Sequence, residues 1–252
     1  MISPCCPLAT FGVLAFVRII TMGATWHDVG SECAMLWSIR RRWCYWYGVS
    51  ADDENTDTMN MHEIMIEHHP FEPFLPKEAW LLMLGTFPPA EKRWCMRFYY
   101  PNFMNDMWRI FGLCYFNDKN HFVIESEKRF DLDRIKAFLM REGIAMYGTA
   151  VRVRRLKNTA SDKDLQIVES TDLCAMLHGL PQCRVVITAG QLATEVFANT
   201  FGVKVPKVGE HVECCLPQST RVLQLYRMPS SSRAYPMAVE KKAMFYRKVF
   251  GR

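Results

Sequence analysis

Five apolar residues, Trp80-Leu81-Leu82-Met83-Leu84, run straight into Gly85-Thr86-Phe87-Pro88-Pro89. The run is short, uninterrupted and bounded by Gly and Pro, the pattern of a buried strand. Gly85 ends it, and two successive prolines keep a helix from starting at once. A buried strand that leaves into a stiff loop is the building unit of an open α/β sheet, where ligands bind beyond the carboxyl ends of the strands. The residues that follow suit such a site. Lys92, Arg93 and Arg97 supply cations, Phe98, Tyr99 and Tyr100 supply rings, and Asn105, three residues before Trp108, supplies a side-chain amide. Cations, stackable rings and an amide together suit a nucleobase carried on a phosphate backbone.

Three more apolar runs read as strands, at 144–147, 185–188 and 222–226, and helical patterns separate them. A helix over 105–112 carries Met107, Trp108 and Phe111. Over 131–140, Leu132, Ile135, Phe138 and Leu139 recur at helical spacing, with Asp131 placed to cap the helix and Gly143 to stop it. Ser170 or Thr171 caps a helix that buries Leu173, Met176 and Leu177. Gly190 opens a helix over 191–201, and after Pro236 a last helix puts Val239, Ala243, Tyr246 and Phe250 on one face. Strands alternating with helices predict an α/β fold, a three-layer α/β/α sandwich around a mainly parallel four-stranded sheet.

Residues 1–58 differ in character from 59–252. They hold four of the seven tryptophans, four of the ten cysteines and the run Arg40-Arg41-Arg42, with little helical or strand period. They read as an atypical N-terminal extension, outside the working domain, with translation starting at Met59 or Met61. The whole chain carries a formal charge of +5, while residues 59–252, with 27 basic and 20 acidic side chains, carry +7. This bias is compatible with nucleic acid but does not by itself specify it. No cysteine pair has C-x-x-C spacing, so neither a zinc ribbon nor a redox dithiol is indicated, and reduced thiols in a cytoplasmic monomer are expected. His62-Glu63-Ile64-Met65-Ile66 is not the zinc motif H-E-x-x-H, because Ile66 stands where the second His belongs, and the segment through His69 reads as a solvated polar lead-in. Arg152, Arg154, Arg155 and Lys157 read as a solvated basic face. No stretch reaches the roughly 18 uncharged apolar residues that a membrane span needs.

A second loop leaves a strand much as the first does: Met228-Pro229-Ser230-Ser231-Ser232-Arg233 follows the run at 222–226. With Gly85 to Pro89, Tyr99-Tyr100, Asn105-Asp106-Met107-Trp108 and the strand ending at Gly190, it forms an ordered set over roughly 78–250. That set resembles the uracil-DNA glycosylase superfamily, most closely its hypoxanthine-DNA glycosylase and mismatch-specific branch. The resemblance implies the α/β/α sandwich already inferred. It implies a monofunctional enzyme that flips a deaminated base, uracil or hypoxanthine, out of DNA and hydrolyses its N-glycosidic bond with water, as base excision repair requires. The implied partner is DNA containing a damaged base, with no cofactor and no metal. The first loop and the rings (Gly85, Thr86, Phe87, Pro88, Tyr99, Tyr100) would hold the base. The second loop (Pro229, Ser230, Ser231, Ser232, Arg233) would hold DNA, its serines on phosphates and Arg233 either wedged into the duplex or resting on a phosphate.

Asn105 matches the position that carries the catalytic amide in that branch. It would orient water toward C1′ or hydrogen-bond the departing base; capping the following helix is the structural alternative. Adjacent tyrosines in a regular element cannot face the same core, so one of Tyr99 and Tyr100 is expected to point at the pocket. Three positions depart from the family pattern. Phe87 replaces the catalytic Asn or Asp of other branches, Pro89 replaces a Gly, and Ala189 stands where relatives often have Asn. These departures point to the alternative of a non-catalytic nucleic-acid-binding relative.

Overall fold

The computed structural model describes residues 65–157 and 161–251. The expectations for the extension at 1–58, for the start at Met59 or Met61 and for His62-Glu63-Ile64 fall outside these residues. In chain order the elements are β1 (Ile66–His68), β2 (Leu81–Gly85), α1 (Met107–Phe116), β3 (Val123–Ile124), β4 (Arg129–Phe130), α2 (Leu132–Glu142), β5 (Ile144–Gly148), β6 (Ala150–Arg155), β7 (Leu165–Ser170), α3 (Leu173–His178), β8 (Val185–Ala189), α4 (Gln191–Phe201), β9 (His211–Cys215), β10 (Val222–Met228) and α5 (Val239–Phe250).

The central sheet has the order β5-β2-β8-β10-β9. β2 pairs in parallel with β5 and β8, and β8 in parallel with β10. These are the four strands legible in the sequence. The sheet has a fifth, because β9 joins the edge antiparallel to β10. β9 is short and only Cys214 of its side chains is buried, so it gives almost no apolar signal. Phe74 bridges to Met146 and covers the opposite edge. A second, antiparallel sheet, β1-β6-β7, was not expected. Its central strand contains the arginines read as a solvated face, and shifts of register around Arg152 break the alternation that would have marked it. Arg152 and Arg155 there pair with Glu169 and Glu67.

The helices are placed by ordinary sequence chemistry. The Asp131 carboxylate accepts from the Arg134 N–H at the start of α2, and Gly143 closes it in the left-handed conformation, both as expected. The cap of α3 is Asp172, which accepts from the Ala175 N–H, in place of Ser170 or Thr171. α1 begins two residues later than its apolar pattern suggested, with Asp106 at its N-cap position. β2 and β8 are buried on both faces, which explains their unbroken apolar runs. The α1–α5 contact closes the core, with Phe111 stacked on Phe250 at 5.0 Å and Trp108 fully buried.

Parallel strands are joined by right-handed crossovers as a rule. β2 to β5 runs one way across the sheet and β8 to β10 the other, so the connecting helices fall on opposite faces. The result is a mixed α/β fold with a mostly parallel central sheet flanked by helices. The strand order reverses between β2 and β8, and a crevice opens at their carboxyl ends. Among the described residues, no helix is long and apolar enough to cross a membrane.

Candidate functional site

The crevice is a cleft with a volume of about 130 Å³. Gly85, Thr86, Phe87, Pro88 and Pro89 form one wall, Tyr99, Tyr100, Asn102 and Asn105 another, and Ser230, Ser231 and Ser232 a third. Pro101, Ala189, Gly148, Tyr147, His69 and Asp162 complete it. The residues singled out in two distant stretches therefore meet across one opening. Pro229 and Arg233 do not line it, and neither do Lys92, Arg93, Arg97 and Phe98.

The first loop is held by backbone acceptors. The Pro89 carbonyl accepts from the Trp94 indole at 2.7 Å, and the Pro88 carbonyl accepts from Arg155 at 3.2 Å. Arg155 is itself paired with Glu67 through two hydrogen bonds of 2.8 and 3.0 Å. The carbonyls of Gly85 and Thr86 accept from Thr149 and Ala150. Gly148 is required beneath this loop, because a Cβ there would sit 2.8 Å from the Thr86 carbonyl oxygen and 2.9 Å from His69 Nε2. Thr86 is buried and its hydroxyl donates to the Asp162 carboxylate at 2.9 Å. Phe87 is half-buried and edge-on to the His69 ring, with centroids 5.3 Å apart.

Both tyrosines reach the cleft, and their hydroxyls differ. Tyr99 donates to the Glu72 carbonyl at 2.8 Å, so its hydroxyl is engaged in the wall. The Tyr100 hydroxyl is buried without a hydrogen-bond partner. Tyr100 adopts a left-handed backbone with φ of 51°, which a bulky residue rarely does. That conformation breaks the regular alternation of neighbours and lets two adjacent rings line one opening. Burial pushes both phenols above the ordinary tyrosine range, and the charge on Asp162 adds to the effect at Tyr100.

Asn105 lies in the turn before α1. Its side-chain oxygen accepts from the Met107 N–H at 2.9 Å, which leaves the amide nitrogen as the group available to a ligand. The helix-capping and ligand-facing roles are thus compatible in one side chain.

The second loop is bolted to the start of α1. The Asp106 N–H donates to the Ser231 carbonyl at 2.9 Å. Lys242 of α5, with no solvent exposure, donates to Asp106 and to the Ser232 carbonyl, each at 2.8 Å. The Tyr246 hydroxyl donates to the Pro229 carbonyl at 3.1 Å. Pro229 and Ser231 are buried, Ser230 is half-buried, and Ser232 and Arg233 are exposed. The Ser230 and Ser232 hydroxyl oxygens accept from the N–H groups of Ser232 and Ala234, so their protons remain free to donate outward. Arg233 stands at the rim, 4.0 Å from the Asp106 carboxylate and 3.6 Å from the Met104 sulfur.

The cleft residues not singled out from the sequence include His69 and Asp162. His69, read as part of a solvated lead-in, packs against Phe87 and Tyr147, and burial lowers the pKa of its imidazole. Asp162 follows a basic strand in a polar stretch, and nothing in that local pattern marks it. Burial raises its carboxyl pKa, against the opposing effects of the Thr86 hydrogen bond and the Arg155 charge. Among the described residues, no group of three His, Cys, Asp or Glu side chains is arranged to hold a metal ion.

No protein-family profile matches the chain, and no curated protein matches it. Among solved structures it is similar to the solution NMR structure of a "putative Uracil DNA glycosylase" from Methanosarcina acetivorans, at 18% identity and a TM-score of 0.49, covering 74% of this chain and 99% of that one.

Proposed function

We propose that this protein is a monofunctional DNA glycosylase that takes a deaminated base, uracil or hypoxanthine, into the cleft and hydrolyses its N-glycosidic bond. The observation that carries the proposal is the meeting of the Gly85 loop, Asn105 and the serine loop around one opening at the switch point of the sheet. A base cannot reach such a cleft inside a duplex, so it must be extruded, at a cost of a few kcal/mol that is smallest at a mismatch or in a single strand. Phe87 and the tyrosine rings offer apolar surface for the base. The outward protons of Ser230 and Ser232 suit phosphate oxygens, with little bulk to hold the backbone away. As the C1′–N bond breaks, negative charge develops on the base, and the Asn105 amide can donate to it. A donor aimed at developing charge is worth roughly two to three orders of magnitude in rate.

The test is to incubate purified protein with oligonucleotides holding uracil, hypoxanthine or xanthine and then cleave abasic sites with alkali. Strand cleavage at the modified position supports the reading. Phe87, Pro89 and Ala189 favour the second reading, a non-catalytic DNA-binding relative, since Phe87 brings no carboxylate or amide to the first loop and Pro89 no N–H. Salt-dependent DNA binding with no excision of any of the three bases would establish it. Absence of both would sink the two together.

A further inference from the structure

Hydrolysis requires an acceptor for the proton of the attacking water. The Asn105 amide cannot take a proton at neutral pH, and the cleft tyrosines are held protonated by burial. Among the described residues that line the cleft there is one carboxylate, that of Asp162. It sits in a single turn, Asp162–Asp164, between β6 and β7, where the Ser161 hydroxyl oxygen accepts from the Lys163 N–H. Its Oδ2 accepts from Thr86 at 2.9 Å and lies 3.6 Å from where a Cβ on Gly190 would stand, at the amino end of α4. A carboxylate held by a hydroxyl from the β2 loop, beside a helix N-terminus and within the cleft, is oriented rather than solvated.

We infer that Asp162 is the general base of this cleft, a role that rests on the glycosylase reading above. The water oxygen forms a bond to C1′ while the C1′–N bond breaks and its electron pair leaves with the base. One water proton passes to Asp162, and through solvent it returns to the base nitrogen, so neither oxidant nor reductant is needed. Asn105 and Asp162 thereby divide the work: the amide stabilises the leaving base, and the carboxylate takes the proton. Asp162 must be ionised to act. The groups that face it are the Thr86 hydroxyl, Arg155 on β6, the Tyr100 hydroxyl and the backbone at Gly190, with Lys163 and Asp164 beside it on its own turn. Burial outweighs Thr86 and Arg155, so its proton is lost at higher pH than from a free aspartate, and the rate should fall as pH drops through that raised value. His69 is the rival acceptor. Its Nδ1 lies 2.9 Å from the Phe71 carbonyl and its ring is packed among Phe87, Tyr99 and Tyr147.

Single-turnover excision by the full chain across the acid pH range decides the matter. Wild type should lose rate toward acid pH. Asp162→Asn keeps the shape and an acceptor for Thr86; it should lose roughly 10²- to 10⁴-fold in rate, flatten the profile and leave DNA affinity unchanged. Asp162→Glu, which keeps a carboxylate, should regain an acid limb at a reduced rate. If Asp162→Asn excises as fast as wild type, or if the wild-type profile is flat through the acid range, the assignment is wrong. The wild-type profile needs no variant to fold. A wild type that excises none of the three bases would instead refute the glycosylase reading, and this inference with it.

Discussion

The two loops that form the cleft leave the same edge of the sheet but are held by different physics. The Gly85 loop hangs from carbonyls, those of Gly85, Thr86, Pro88 and Pro89, each taking a hydrogen bond from a separate neighbour. A charged prop, Arg155 with Glu67, is partly open to water. The serine loop takes neutral bonds too, from the Asp106 N–H and the Tyr246 hydroxyl, but its charged anchor is one fully buried lysine, whose ammonium joins Asp106 at the start of α1 to the Ser232 carbonyl. Distributed neutral bonds fail one at a time, at about 1 kcal/mol each. A buried ion pair fails at once, because removing one partner leaves the other charged and dry. The contrast suits the roles proposed for the loops. The first needs a fixed pocket for a base, and the second needs to stand firm when pressed against DNA.

The largest effect expected from breaking this arrangement is at Lys242. Lys242→Met should destabilise the fold by about 3–5 kcal/mol, read as a lowered urea midpoint, because buried Asp106 loses its close partner and keeps only the exposed Arg233 at 4.0 Å. Adding Asp106→Leu should recover much of that loss. If Lys242→Met is nearly silent, the serine loop is not held as described.

Next comes Asn105→Ala. It should lower excision by two or more orders of magnitude with DNA affinity nearly unchanged, and it should cost about 1 kcal/mol of stability through the lost acceptor for Met107. A variant with normal turnover and that stability loss would leave Asn105 as a helix cap only.

A smaller effect is expected on the other loop. Glu67→Gln weakens the pair with Arg155, and with 37% of the Glu67 side chain exposed the change should cost about 1 kcal/mol or less. High salt should shrink the difference between variant and wild type in thermal melts. A loss as large as that at Lys242 would erase the distinction between the two loops.

The smallest effect on stability belongs to Arg233, which is exposed at the rim. Arg233→Ala should leave the melting temperature alone and act on substrate choice. If Arg233 pries the duplex open, excision from duplex DNA should weaken more than from single strands. If it only touches a phosphate, both should weaken alike and the salt slope should fall by about one. Wild-type behaviour on both substrates would remove Arg233 from the interface.

Much of the scaffold can be read along the chain because its causes are local. The run before Gly85 is apolar throughout because β2 is buried on both faces. Asp131 and Gly143 bracket α2 because a helix end needs an acceptor at one terminus and a left-handed residue at the other. Val239, Ala243, Tyr246 and Phe250 mark α5 by their spacing alone. The cleft is legible only in the part carried by two such loops. Lys242 shows the limit: in Glu240-Lys241-Lys242 it looks like any exposed cation, and only the approach of α1 and the serine loop buries it. The second sheet was hidden by its own register shifts, and it is this sheet that carries Asp162 to Thr86, 76 positions away in the chain. Tyr99 and Tyr100 share the cleft because of one left-handed backbone angle, which their side-chain chemistry does not announce. Periodicity and capping are interactions between neighbours, so the amino-acid order alone determined the four parallel strands, the helices and the two loops at the sheet's edge. Which carboxylate enters the cleft, which lysine goes dry and which hydroxyl stays unpartnered depend on contacts between residues far apart in the chain, and only the tertiary structure decided them.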